Sequence, residues 1–164
     1  MILSLLITAI YSQSILSEGR PGAPEGRDPA SSANVSHMEG VRVQTTRDGE
    51  RQWVLLSSSV EMAGGRARLR GVDAEVMGID MKVRAPEGEY DMDQGGLRLS
   101  GGVNMTGEGY SVETAGVRLD PSSGELVSED LVVMEGKGFR VKGSGLRAAG
   151  QQIRLLNDVT AVLY

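Results

Sequence analysis

Three stretches of the chain resemble one another. They begin at Val83, Val112 and Val141, so each copy starts 29 residues after the one before. The first two copies also share an aspartate, at Asp91 and Asp120, which the third copy lacks. Each copy reads as short strands separated by glycine-containing turns. Repetition at this period, with strand periodicity inside each copy, predicts stacked β units that share one continuous core.

Apolar and polar residues alternate within these copies. Leu97 and Leu99, for example, flank Arg98. This period of two is typical of strands that have one apolar face and one solvated face. It favours an antiparallel sheet, since the strands of a parallel sheet are usually apolar on both faces. We therefore predict an all-β fold built of repeated short strands in an antiparallel sheet.

The apolar face of this sheet is the first candidate functional surface. It consists mainly of aliphatic residues and methionine, because the chain has only one Trp, one Phe and four Tyr. Such a lining adapts to flexible hydrocarbon chains. Two interpretations stay open here: a groove that binds a lipid, and a closed core that binds nothing. The candidate groove residues are Ile79, Met81, Val83, Leu97, Leu99, Val103, Met105, Val112, Val117, Leu119, Phe139 and Val141.

The charge of the chain limits its partners. A formal net charge of -5 argues against a nucleic-acid backbone. Lysine occurs only at Lys82, Lys137 and Lys142, whereas arginine is plentiful. Arginine suits bidentate contact with phosphate or carboxylate, but these arginines are equally consistent with a solvated outer face.

The N-terminal part of the chain differs in composition from the rest. Residues 1–16 are apolar and uncharged, and we interpret them as a helical membrane anchor or signal segment. The alternative is a signal peptide cleaved near Ser12-Gln13-Ser14; both interpretations take the rest of the chain across a membrane. Residues 17–38 are rich in Gly, Pro, Ser and Ala and are predicted to form a flexible linker. Residues 39–164 form the predicted β domain.

The residues that could support catalysis are few. Asp91 and Asp93, like Glu87 and Glu89, are spaced by two, but both pairs flank predicted turns. The glycine-rich segments lack the strand-to-helix context of a phosphate-binding loop. The sequence has no cysteine and no metal-ligand spacing. We therefore predict no catalytic residue, no metal, no cofactor and no enzymatic activity.

The two ends of the predicted sheet are the second candidate surface. The first strand contains Val41 and Val43, and the last contains Val159, Ala161 and Leu163. Open strand edges invite pairing with another sheet, so the domain could be joined to partners by strand addition. We predict these five residues as docking positions.

A series of short motifs gives the chain a family resemblance. Their order and spacing, rather than any single motif, carry it. They are Asp48-Gly49, Trp53-Val54-Leu55, Gly71-Val72, Ala85-Pro86-Glu87-Gly88-Glu89-Tyr90, Leu97-Arg98-Leu99-Ser100-Gly101-Gly102-Val103, Ser128-Glu129-Asp130-Leu131-Val132, Gly136, Gly143, Gly145-Leu146 and Asn157-Asp158-Val159. Together they resemble the LptC family over essentially the whole chain. Gly49 and Gly136 are added as candidate docking residues, with a role in turn geometry alone as the alternative.

The resemblance implies a fold and a function. The fold would be an open, twisted β-jellyroll of the OstA/LptA-like type with a V-shaped interior. The protein would bind lipopolysaccharide, accept it from an LptB2FG-like ABC transporter at the N-terminal strand edge, and pass it to an LptA-like periplasmic bridge protein at the C-terminal edge. It would be a single-pass protein of the Gram-negative inner membrane with its domain in the periplasm. The alternatives are a soluble LptA-like bridge protein and a purely structural β-repeat protein.

Overall fold

The computed structural model describes residues 35–47, 49–77, 80–120, 122–150 and 152–164, and these residues form nine β-strands. The strands are β1 (Ser36–Arg47), β2 (Glu50–Ala63), β3 (Arg66–Val76), β4 (Met81–Asp91), β5 (Leu97–Gly107), β6 (Tyr110–Leu119), β7 (Leu126–Gly136), β8 (Phe139–Ala149) and β9 (Gln152–Leu163). The predicted all-β class is confirmed.

The nine strands form one antiparallel sheet in which every strand pairs with its neighbours in sequence. The order β1 to β9 leaves the sheet unclosed, with β1 and β9 at its edges. The predicted N-terminal helix lies outside the described residues, as does most of the predicted linker. Strand β1 begins at Ser36, three residues before the predicted start of the domain. Within the described residues, no helix has the length and apolar character to cross a membrane.

The sequence repeat corresponds to pairs of strands. Val83, Val112 and Val141 occupy β4, β6 and β8, so that one 29-residue copy supplies two neighbouring strands. Of the interruptions inside each copy, one is a true turn between the two strands, and the others are bulges within long strands. Gly101 and Gly102, in the middle of β5, have φ angles of 86° and 97°. These angles lie in a region that glycine adopts readily and other residues rarely do, which lets the strand bend without ending.

Similar irregularities lie near the middle of successive strands. The pairing register shifts between Arg84 and Glu87, between Ser100 and Val103, and at matching places in the later strand pairs. This line of bulges divides the sheet into two half-sheets. The first half-sheet contains the β3–β4 and β5–β6 turns, and the second contains the β2–β3 and β4–β5 turns.

The two half-sheets fold towards each other. Trp53 pairs with Val76 near one end of β3, and Tyr90 pairs with Ala67 near the other end. In a straight strand these ends would be roughly 30 Å apart. The rings of Trp53 and Tyr90 nevertheless meet edge to face, with centroids 6.3 Å apart. The apolar faces of the two half-sheets therefore cover one another, as in a jellyroll.

Polar side chains in the interior are hydrogen-bonded. The buried Ser57 hydroxyl lies 2.8 Å from the backbone oxygens of Ser59 and Arg70. Thr114 and Ser128, both buried, share a hydrogen bond of 2.9 Å across the β6–β7 bulge. These hydrogen bonds limit the desolvation cost of polar groups in the interior.

Two turns of the second half-sheet are closed by the repeated aspartate. The Asp120 carboxylate accepts hydrogen bonds from Ser122 N (2.8 Å), Ser122 Oγ (2.6 Å) and Ser123 N (3.3 Å). Asp91 likewise accepts hydrogen bonds from the backbone of residues 93 and 94. An aspartate in this position stabilises the turn through its own side chain, which explains why the residue recurs in two copies.

The Asp120 turn gives the stability of the protein a pH dependence. The side-chain hydrogen bond from Ser122, with backbone hydrogen bonds from Ser122 and Ser123, lowers the Asp120 pKa below its ordinary value of 3.8. A lowered pKa in the folded state stabilises the fold above pH 3.8, and this contribution is lost as the pH falls through the folded-state pKa. We expect Asp120→Asn to flatten this acid limb in urea unfolding measured from pH 5 to pH 2. Glu108→Gln, in an exposed turn, is the control; an unchanged slope in Asp120→Asn would contradict the assignment.

Candidate apolar interior and sheet edges

A continuous row of inward-facing residues crosses all nine strands in the first half-sheet. Each member is the register partner of the next, and the row runs Val43, Leu55, Ala74, Val83, Met105, Val112, Met134, Val141 and Ala161. All nine side chains are apolar. We call this the first inner row. It provides uninterrupted apolar surface from one edge of the sheet to the other.

A second inner row crosses the other half-sheet from β2 to β9. Its members, again direct register partners, are Met62, Ala67, Tyr90, Leu97, Leu119, Leu126, Ala148 and Ile153. The two rows belong to half-sheets that face each other, so together they form opposite walls of the interior. Its lining is mainly aliphatic, as the composition predicts.

Burial along the first inner row changes from the middle to the ends. Met105 and Val112 are 0 % exposed, so the interior is filled where β5 and β6 lie. Met134 and Val141 are half-buried, and Ala161 on β9 is exposed. At the β1 end, Val43 is half-buried. The interior is therefore closed in the middle and opens towards both edges, more widely at β9.

The predicted groove residues are placed mostly in the filled part. Nine of them are buried and belong to one hydrophobic cluster: Met81, Val83, Leu97, Leu99, Val103, Met105, Val112, Val117 and Leu119. Phe139 and Val141, on β8, are half-buried. Ile79 lies outside the described residues. The structure thus brings nine of these residues into one buried cluster, and lipid binding by the predicted groove residues remains a prediction.

Several interior residues are absent from the predicted groove. They include Trp53, Leu55, Leu126, Val132 and Leu146, all buried. Trp53, Leu55 and Val132 lie in runs of consecutive apolar residues, 53–56 and 131–134, where alternation does not show which side chains face inwards. The tertiary fold resolves the ambiguity in part: Val54 is buried as well, whereas Leu56 and Leu131 are exposed.

The two edge strands carry the predicted docking residues. On β1, Val41 and Val43 are half-buried and pack against the hydrophobic cluster. On β9, Val159 is 51 % exposed and Leu163 is 80 % exposed. Leu156, Val162 and Tyr164 are also exposed, so apolar side chains project from both faces of the terminal strand and the residue after it. Large exposed apolar surface of this kind is common at interaction sites, and docking at β9 stays a prediction.

The two glycines predicted for docking have different surroundings. Gly49 lies in the β1–β2 turn with a φ angle of 82°, and a Cβ atom there would meet no atom within 4 Å. This geometry is that of a turn glycine. Gly136 pairs with Phe139, and a Cβ atom would overlap the Phe139 ring and lie 3.0 Å from the Gly109 carbonyl oxygen. Gly136 therefore has a packing role, whatever its role in docking.

Substitution of Gly136 is expected to destabilise the domain. Gly136→Ala should lower the free energy of unfolding by about 1–3 kcal/mol, because the added methyl group overpacks the Phe139 ring. Gly96→Ala is the control, since a Cβ atom at Gly96 would meet nothing within 4 Å. In a Phe139→Ala background the cost of Gly136→Ala should shrink. Unfolding in urea checks this; an unchanged stability of Gly136→Ala would leave docking as the sole role of the glycine.

The described residues contain no group of three or more metal-ligating side chains. The paired carboxylates considered from sequence lie at the surface: Glu87, Glu89 and Asp93 are exposed, and Asp91 is used within its turn. What the geometry offers is an apolar interior and two strand edges. These features are typical of a class of β-sheet proteins that bind apolar ligands and assemble through strand edges.

The chain belongs to the lipopolysaccharide-assembly, LptC-related family, whose model matches residues 1–164. The resemblance predicted from the motifs is therefore confirmed. No curated protein matches the chain. As a member of this family the protein is a non-enzymatic component of lipopolysaccharide transport, and the family is one of inner-membrane-anchored periplasmic proteins.

Proposed function

We propose that this protein accepts lipopolysaccharide from an LptB2FG-like transporter and passes it to an LptA-like bridge protein. The observation that carries the proposal is the first inner row, which joins the two sheet edges without a polar interruption. Each methylene group buried on such a surface contributes about 0.8 kcal/mol. Acyl chains therefore stay in the interior, while phosphates and sugars remain in solvent at its rim.

The filled middle of the interior requires the two half-sheets to separate when lipid passes. Met105, Val112, Val132 and Leu146 are each 0 % exposed, so an acyl chain cannot enter between them without displacing side chains. The open β9 end, in contrast, already exposes Ala161 and Leu163. Lipid contact is therefore most accessible at β8 and β9, and it reaches the middle only during transport.

Each of the two edge strands can bind one partner. Strand β1 pairs only with β2, and β9 pairs only with β8, within the described part of the sheet. Each edge can extend the sheet with a strand from another jellyroll. We assign the transporter to β1 and the bridge protein to β9, where the exposed apolar residues lie. Residues 1–16 would anchor the protein in the inner membrane and hold the domain in the periplasm.

Photo-crosslinking during active export tests this proposal. A photoreactive residue at Val141 or Ala161, which face inwards as register partners, is expected to label lipopolysaccharide in an ATP-dependent manner. The matched controls are Arg140 and Val162, also register partners, each one residue away on the outer face. Detergent-dependent extraction from the same membranes is expected if the anchor is retained.

Three outcomes would contradict the proposal. Equal labelling at Arg140 and Val162 would show lipid on the outside of the sheet. No lipid labelling at any position would favour a purely structural role. Extraction by salt alone would favour a soluble bridge protein.

A further inference from the structure

Four exposed arginines form a row across the outer face of the second half-sheet. Arg98 pairs with Arg118, Arg118 with Val127, Val127 with Arg147, and Arg147 with Arg154. We call Arg98, Arg118, Arg147 and Arg154 the arginine row. It extends from β5 to β9, which is roughly 19 Å at the spacing of neighbouring strands. All four side chains are exposed.

The arginine row is part of a longer transverse line of register partners, and between Arg98 and β1 this line carries charges of both signs. There it continues through Glu89, Arg68 and Glu61, so that acidic and basic residues alternate. From Arg98 onwards no acidic residue lies in the line. Like charges directly opposite each other on neighbouring strands are destabilising. A chain with a net charge of -5 therefore concentrates positive charge here at a cost to its own stability.

The carboxylates around the arginine row leave most of its charge available. Glu89 faces Arg98 across the ladder, and a Glu125 oxygen lies 3.5 Å from Arg147 Nη1. Asp120, just after the end of β6, interacts electrostatically with Arg118, but its carboxylate is engaged mainly by hydrogen bonds within the β6–β7 turn. Among the described residues, Arg98, Arg118 and Arg154 form no salt bridge.

Along the strand direction, the arginine row lies at the same position as the start of β1. The transverse line that contains it reaches His37 on β1, through the pairs His37–Glu61 and Glu61–Arg68. Residues 1–35 precede β1, and the family is anchored in the inner membrane. The row thus lies on the half-sheet at which the chain arrives from its N-terminal segment.

We propose that the arginine row binds the anionic headgroups of the membrane surface and sets the orientation of the domain beside the membrane. Guanidinium groups match phosphate geometry, and basic residues near an anionic bilayer each strengthen binding several-fold. An acidic protein is the less favoured partner, because the row presents no aromatic anchor of the kind that is enriched in protein interfaces. The row contains Val127 as its only apolar member.

Fluorescence transfer from the full-length chain to headgroup-labelled lipid tests this proposal. The chain has no cysteine, so a single donor can be attached at Ser123→Cys, in the turn beside the row, or at Glu108→Cys, at the opposite end of the sheet. The probes are phosphatidylcholine vesicles with and without about 30 mol % phosphatidylglycerol. We expect at least twice the transfer from position 123 on the anionic vesicles, little change from position 108, and loss of the difference in high salt.

A variant with all four arginines replaced by glutamine should lose the anionic preference at position 123. Its matched control carries the same charge change on the first half-sheet, at Lys82, Arg84, Arg140 and Lys142, and should retain the preference. Equal transfer from the two vesicle types, or equal loss in the two variants, overturns the proposal and leaves an acidic protein as the partner. If the chain does not insert into the vesicles, the proposed anchoring fails. Co-flotation with the two vesicle types then tests the arginine row directly. We expect the arginine variant to lose at least about tenfold in binding to the anionic vesicles.

Discussion

Linking Trp53 and Tyr90 is expected to stop lipid passage through the domain. These rings, whose centroids are 6.3 Å apart, join the two half-sheets, and under the proposed function the half-sheets separate when lipid passes. In Trp53→Cys/Tyr90→Cys, a reducible bis-thiol reagent would hold the half-sheets together. We expect lipopolysaccharide transfer in a reconstituted export assay to fall at least about tenfold, since a conformational step becomes blocked. Reduction of the link should restore the transfer.

The natural absence of cysteine makes this comparison clean, because the same variant is measured before and after linking. The control pair is Asp73→Cys/Arg84→Cys, whose residues face each other on neighbouring strands of one half-sheet. A link within one half-sheet leaves the two half-sheets free to separate, so lipopolysaccharide transfer should be unaffected. Unchanged transfer after linking positions 53 and 90 would show that lipid passes without separation of the half-sheets.

Lysines in the terminal strand are expected to weaken the proposed pairing of β9 with an LptA-like bridge protein. Val159→Lys/Leu163→Lys places two charges on the inner face of β9, where a strand added by the partner would continue the apolar rows. Edge lysines are a common natural barrier to strand addition. We expect the affinity for an LptA-like partner to fall at least tenfold, which corresponds to about 1.4 kcal/mol.

The stability of this variant should change little, because both residues are more than half exposed. The matched control, Thr160→Lys/Val162→Lys, adds the same charge to the outer face of the same strand. Affinity measured by titration of the purified partner distinguishes the two variants. An equal effect in both variants would mean that net charge, rather than the inner surface, controls binding to the partner.

The sequence predicts the strands and their inward faces better than it predicts the shape of the interior. Alternation around Leu97, Leu99 and Met105 identifies side chains that the structure buries. Alternation along one strand says nothing about what covers its apolar face. The contact between Trp53 and Tyr90 joins residues separated by two turns and a bent strand, so the filled middle of the interior could not be deduced from periodicity.

The bulges are a second feature that the sequence pattern conceals. Gly101 and Gly102 have the composition of a turn, and the difference between a turn and a bulge depends on the neighbouring strands. Only the pairing of β5 with β4 and β6 shows that the strand continues. The repeat, by contrast, was informative because identical spacing at Val83, Val112 and Val141 reflects identical positions in successive strand pairs.

The meander topology has a consequence for how such a domain can change size. Every strand contacts chiefly its sequence neighbours, and each 29-residue copy contributes one complete segment of both interior walls. Deleting or duplicating a whole copy would alter the length of the apolar interior while preserving its cross-section. Evolution can therefore adjust the length of such a domain, measured from its first strand to its last, in steps of one repeat.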